Sequence, residues 1–179
     1  PSDCVHRGIA MFDLEAPPTM NWAVQILTVD YLIEGTIDGS RERPAFNLVS
    51  GDARAIRVDQ PQVTSTGRLD VPARPAVPWA LVYGNELVAI IPRDQASLNY
   101  ALRANESFKT PIPGEVYAGP YVFSGTIMSP DRKLRIVEGY TAVVLQNVTI
   151  DCLASGTSMS RLQAPYVMVL GNHKHFLVA

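Results

Sequence analysis

The chain alternates short apolar runs with Gly, Pro, Asn and Ser clusters, and one stretch departs from that rhythm. Between residues 22 and 38, Val24, Ile26, Val29, Tyr31, Leu32, Ile33 and Ile37 stand among polar residues, with Asp30 marking a turn. That spacing predicts two antiparallel strands of about six residues each. Ala55-Ile56-Arg57-Val58 and Ala142-Val143-Val144-Leu145 are strand-like as well. Pro78-Trp79-Ala80-Leu81-Val82-Tyr83-Gly84-Asn85 and Pro165-Tyr166-Val167-Met168-Val169-Leu170-Gly171-Asn172 share one layout: Pro, aromatic, apolar run, Gly-Asn. A second apolar run follows each, over residues 87–91 and 176–178. Gly and Asn accept the positive φ of tight turns, so both segments predict β-hairpins. The exception is residues 94–104, a helix in which Leu98, Ala101 and Leu102 share a face and Asp94 caps the first turn. Residues 64–76 and 154–160 read as loops, and 109–114, with two prolines, as an extended linker.

The Gly-Asn blocks are not the only repeat. Tyr31-Leu32-Ile33-Glu34-Gly35-Thr36-Ile37 has an echo in Tyr121-Val122-Phe123-Ser124-Gly125-Thr126-Ile127, in the same order and at nearly the same separation. Phe46-Asn47-Leu48-Val49-Ser50-Gly51 aligns more loosely with Leu134-Arg135-Ile136-Val137-Glu138-Gly139. Matched blocks in one order predict internal duplication. The expected organisation is an N-terminal arm over 1–20, a β-domain over 21–92, a connector with the helix over 93–114, and a second β-domain over 115–179.

Composition narrows the function classes. With 47% hydrophobic and 18% charged residues the chain is that of an ordinary globular protein. A formal charge of -2 and a pI near 5.9 leave no basic footprint for nucleic acid or an anionic membrane. Arg41, Arg43, Arg54, Arg57, Arg68 and Arg74 are interleaved with Asp38, Glu42, Asp52, Asp59 and Asp70, which predicts a mixed, solvated surface. No apolar run approaches the roughly 20 residues of a membrane span, and the first residues lack a signal-peptide layout. A cytoplasmic protein is expected. Cys4 and Cys152 are read as free thiols.

Two strands, a break, a third strand, a loop and a Gly-Asn turn, twice over, resemble the Sm-like (LSm/Hfq) small barrel. Residues 31–38 with Phe46-Asn47-Leu48-Val49 are similar to that family's first motif. Leu81-Val82-Tyr83-Gly84-Asn85-Glu86-Leu87-Val88-Ala89-Ile90 is similar to its second. Residues 121–127 and 168–172 carry the likeness in the second copy, and bacterial domains of like layout are similar too. The resemblance implies a mostly β fold of two tandem Sm-like barrels with a short connecting helix. It also implies homo-oligomers formed through edge strands, and an RNA site at Asn47, Tyr83, Gly84 and Asn85. The family places a cation just before the Gly of its second motif; here Tyr83 and Leu170 stand there, and Arg135 replaces the Asn in copy two. Nucleic-acid binding is therefore the second reading, behind assembly.

Other chemistry is sparse. His173 and His175 flank Lys174, and on a strand such a pair can share a metal, but no third ligand lies near in sequence. They are read as ligand or partner contacts. No Gly-x-Ser-x-Gly motif and no Gly-rich phosphate loop occurs. The expectation is a non-enzymatic, oligomeric scaffold that needs no cofactor or metal.

Overall fold

The computed structural model describes residues 21–38, 55–66, 76–130, 142–154, 156–157 and 159–170, and the backbone of 174–178. In chain order the elements are β1 (Asn21–Thr28), β2 (Tyr31–Asp38), β3 (Ala55–Ser65), β4 (Trp79–Tyr83), β5 (Leu87–Pro92), α1 (Gln95–Ala104), β6 (Thr110–Ala118), β7 (Tyr121–Ser129), β8 (Ala142–Cys152), β9 (Leu162–Leu170) and β10 (Lys174–Val178). The fold is mostly β with one helix among the described residues. Every strand pair is antiparallel, in one sheet of order β10-β6-β7-β8-β9-β5-β1-β2-β3-β4. Two separate closed barrels were expected; the hydrogen-bonded order is instead continuous through β9 and β5 and, among the described residues, open at β10 and β4.

The order repeats. β5-β1-β2-β3-β4 in the first half becomes β10-β6-β7-β8-β9 in the second. The repetition reaches single residues. Glu34 faces Gln62 and Thr36 faces Asp59, so Gln60 and Pro61 together stand opposite Gly35. Likewise Ser124 faces Thr149 and Thr126 faces Gln146, which sets Asn147 and Val148 opposite Gly125. In each bulge the extra residue is left-handed, Gln60 at φ 50° and Asn147 at φ 52°. Such a bulge bends the strand and sharpens its twist. Glycine is required across from it. A Cβ at Gly35 would run into Val58 Cγ1 and lie 2.8 Å from the Asp59 carbonyl; at Gly125 it would lie 2.9 Å from the Gln146 carbonyl.

Buried side chains form two clusters, and neither belongs to one half alone. The first joins Trp22, Ile26, Ile37, Ile56, Val82 and Ile90 to Ala142, Val144, Tyr166 and Met168. The second joins Val116, Tyr121, Phe123, Leu145 and Val167 to Leu27, Val88, Ala89 and Ile91. α1 lies on the first. Asp94 caps it by accepting from Ser97 N at 2.7 Å, and Tyr100 stacks on Trp22 with ring centroids 4.2 Å apart.

Several expectations change. The Gly-Asn turn forms, with Glu86 N donating to the Tyr83 carbonyl at 3.0 Å, yet β4 and β5 do not pair. They leave the turn for opposite ends of the first half, and neither Gly84 nor Asn85 has positive φ. Residues 110–114, read as linker, open β6; Pro111 and Pro113 are tolerated because β10 pairs β6 only from Glu115 onward. On α1 Leu102 is exposed, and the buried stripe is Ser97, Ala101 and Asn105, small or amide side chains that let the helix approach the sheet. β3 runs through Gln62, Val63 and Thr64, which composition had assigned in part to a loop.

Gly35→Ala and Gly125→Ala are each expected to cost about 2 kcal/mol or more, because the intruded-upon atoms include backbone carbonyls that cannot rotate away. Urea denaturation of the two variants measures this. Losses below about 0.5 kcal/mol would contradict the packing at the bulge.

Candidate functional site

The open end of the sheet at β4 is the described surface with the most unusual chemistry. Five residues long, β4 pairs with β3 through Ala55↔Tyr83, Ile56↔Val82, Arg57↔Leu81, Val58↔Ala80 and Asp59↔Trp79. Strand side chains alternate between faces, so Val82 enters the core while Trp79, Leu81 and Tyr83 share the other face. These three are 46%, 48% and 59% exposed. Beside them the Arg57 guanidinium lies 5.2 Å from the Trp79 ring centroid, and its Nε donates to Asp59 Oδ1 at 2.9 Å. The patch is thus an aromatic and aliphatic row with one internally neutralised charge, next to an edge that no described strand pairs.

The same row occurs in the second half, in the opposite condition. β9 holds there the position β4 holds in the first, and its Tyr166, Met168 and Leu170 correspond to Trp79, Leu81 and Tyr83. Tyr166 and Met168 are buried, and Leu170 packs against the same cluster. What buries them is the first half. β9 pairs with β5 at Ala89↔Val169 and Ile90↔Met168, and α1 packs on β1 and β5 beside the joint. Asn105 Nδ2 donates to the Tyr166 hydroxyl at 3.0 Å and to the Ala101 carbonyl at 2.9 Å. Burial raises the pKa of that hydroxyl well above the usual tyrosine value, with the Asn105 hydrogen bond opposing in part. Across the second cluster Tyr121 does similar work: its hydroxyl donates to the Thr28 carbonyl at 2.8 Å and lies 3.1 Å from Thr66 Oγ1. Burial pushes its pKa up to about 12, against the lowering effect of the Thr66 hydrogen bond.

A groove of about 220 Å³ runs beside the joint, lined by Gln25, Arg93, Asp94, Gln95, Gln163 and Pro165 among others. Its polar groups are mostly amides; Arg93 lies 3.6 Å from Glu34, to which Gln25 Nε2 also donates. No cluster of three or more His, Cys, Asp or Glu side chains occurs among the described residues. No helix among them is long and apolar enough to cross a membrane.

Of the residues singled out from sequence, Tyr83, Gly84 and Asn85 lie together at the end of β4, where Asn85 Nδ2 donates to Glu86 Oε1 at 3.0 Å. Asn47 and His173 lie outside the described residues, and His175 sits on β10, whose backbone alone is described. Sequence reasoning passed over Trp79 and Leu81 as site residues. The alternation Trp79, Leu81, Tyr83 was readable, but not that its face is uncovered. Comparison of the chain with protein-family models, curated proteins and solved structures gives no match.

The raised pKa of Tyr121 has a pH consequence. The unfolded chain loses this proton near pH 10 while the folded chain keeps it to about 12, so the contribution to stability is complete below pH 10. It is lost as pH rises from 10 to 12. In Tyr121→Phe the decline of stability over that window should be shallower than in the parent, as read by urea midpoints from pH 9 to 11.5. Parallel curves would refute the assignment.

Proposed function

We propose that this protein is a non-enzymatic assembly module built from paired Sm-like repeats, which joins further copies through its open edges, a closed ring being the favoured form. The observation that carries the reading is the contrast between two equivalent edges. Where the second half presents its β9 edge, the first half covers it; where the first half presents β4, an apolar row is exposed and no described strand pairs the edge. Unpaired strand edges are templates for further pairing. The repeated strand order and the repeated bulges support descent of both halves from one Sm-like unit. The sparse acid-base chemistry of the groove supports a binding role over a catalytic one.

A second reading, single-stranded nucleic-acid binding, is favoured by one feature: Tyr83, an exposed aromatic ring beside Gly84-Asn85. Stacking on aromatic rings works together with cationic grooves that track the backbone. Here the nearest described cation, Arg57, is already paired with Asp59. Assembly is therefore the stronger reading.

Light scattering at micromolar concentration should give a mass several times the 19.5 kDa of one chain. A monodisperse monomer would end the assembly reading. The nucleic-acid reading instead requires oligonucleotide affinity that falls steeply between about 50 and 200 mM salt and drops with Tyr83→Ala or Asn47→Ala. Equal, negligible binding across an oligonucleotide pool would end it.

A further inference from the structure

We infer that the groove beside the β5–β9 joint is a binding site for a small aliphatic α-amino acid, held as a zwitterion with Arg93 on its carboxylate and Gln25 and Asp94 on its ammonium group. The inference goes beyond the assembly reading and stands apart from it, since none of these residues belongs to the β4 edge.

The groove exists because two strands meet and then part. β5 and β9 pair only at Ala89↔Val169 and Ile90↔Met168. Beyond Ile90, β5 stays on β1, with Gln25↔Ile91 and Val24↔Pro92, while the start of β9 stays on β8, with Val148↔Ala164 and Thr149↔Gln163. Arg93 N donates to the Ala23 carbonyl of β1 at 2.9 Å. Backbone groups alternate in direction along a strand, so Pro92 turns toward β9 a nitrogen with no hydrogen to give. The ladder ends there. What remains is a groove of about 220 Å³ walled by residues 91–95 and 163–165, with Gln25 and Leu98 completing it.

Three groups on this wall are unengaged. Gln25 is only 6% exposed, and its Nε2 donates to Glu34. Among the described residues no donor reaches its Oε1, although the side chain lines the groove. A nearly buried acceptor left in that state calls for an N–H or O–H from whatever fills the space. The Arg93 guanidinium lies 3.6 Å from Glu34, too far for a hydrogen bond, and among the described residues none of its N–H groups has an acceptor. Asp94 accepts from Ser97 N through Oδ1, which leaves Oδ2 open. A guanidinium fork matches a carboxylate through two parallel N–H···O bonds. Gln25 Oε1 and Asp94 Oδ2 are both acceptors and match an ammonium group, which carries donors alone. The wall therefore holds one cation and one anion. A simple anion would meet Asp94 and a simple cation would meet Arg93, whereas a zwitterion answers both. Size and apolar content complete the class. Pockets for drug-sized ligands begin near about 300 Å³, so this groove takes a smaller molecule. Ile91, Pro92, Leu98 and Pro165 offer aliphatic surface to a short side chain.

The test is calorimetric titration of the full chain with L-valine, with isovalerate, which lacks the ammonium group, and with isobutylamine, which lacks the carboxylate. L-valine should bind saturably in the millimolar range or below, and each analogue at least about tenfold more weakly, because each forfeits a charge-assisted contact. Arg93→Gln and Asp94→Asn should each lower L-valine affinity at least about tenfold. Both side chains are exposed and Asn also caps helices, so thermal unfolding of the unliganded variants should match the parent. No binding of L-valine, L-alanine or L-leucine at millimolar concentration would overturn the proposal. Isovalerate binding as tightly as L-valine would reveal a plain anion site, and isobutylamine doing so a plain cation site; either result overturns the zwitterion. Undiminished L-valine affinity in both variants would put the amino acid elsewhere on the molecule and overturn the groove as its site.

Discussion

Strand β5 has its two hydrogen-bonding edges taken by different halves of the molecule, β1 on one side and β9 on the other. All six of its residues are buried. A strand covered on both faces needs an unbroken apolar run rather than an alternating one, and Leu87-Val88-Ala89-Ile90-Ile91-Pro92 is such a run. Leu87 and Ile90 enter one cluster, while Val88, Ala89 and Ile91 enter the other. Only two positions pair between β5 and β9. Each backbone hydrogen bond there contributes about 1 kcal/mol net, whereas full burial of one Ile or Leu contributes about 2 kcal/mol. Apolar packing on both faces, more than the ladder, holds the halves as one body.

The helix depends on that joint. Two residues separate it from β5, so its position is fixed by where β5 lies; it packs on β1 and β5, and Ala101 and Asn105 at its end meet Tyr166 of β9. Its fully buried positions are small or amide side chains, Ser97, Ala101 and the C-cap Asn105, with Leu98 and Tyr100 half-buried against the same cluster. A stripe of leucines would hold the helix further off and leave Tyr166 without its Asn105 donor. The tyrosine suits this place because its ring is apolar and its hydroxyl finds partners in the helix. Trp79, its counterpart on β4, has no such cover and turns to Arg57 for a cation–π contact.

Much of this order was legible in the residues, for identifiable reasons. The paired blocks at 31–37 and 121–127 are β2 and β7, and the Gly in each is the one the opposing bulge demands. The need for glycine was not readable, because it comes from Gln60 and Asn147 on another strand. Asp94 and the apolar spacing after it announced α1 and two residues of its sheet side, Leu98 and Ala101; Leu102 is exposed while Ser97 is buried, since a small residue buries as readily as a leucine where two elements come close. The Gly84-Asn85 segment announced a turn correctly and pairing wrongly, and Gly171-Asn172 lies outside the described residues. A turn fixes the direction of the chain, and the partner of a strand is decided by distant residues. The candidate site was half legible for the same reason. Trp79, Leu81 and Tyr83 alternate in print, while their exposure is decided by residues distant in sequence.

The edge chemistry then separates two ways of managing an open strand. Beyond the bend at Gln60, β3 outlasts β4, and its unaccompanied half carries Pro61, Gln62 and Thr64. Prolines and polar side chains discourage further pairing. β4, by contrast, has no proline within it, no charge and no bulge in its pairing with β3, and its outward face is Trp, Leu and Tyr. Along one sheet edge, β3 beyond its bend thus carries proline and amide side chains, while β4 turns an apolar row outward.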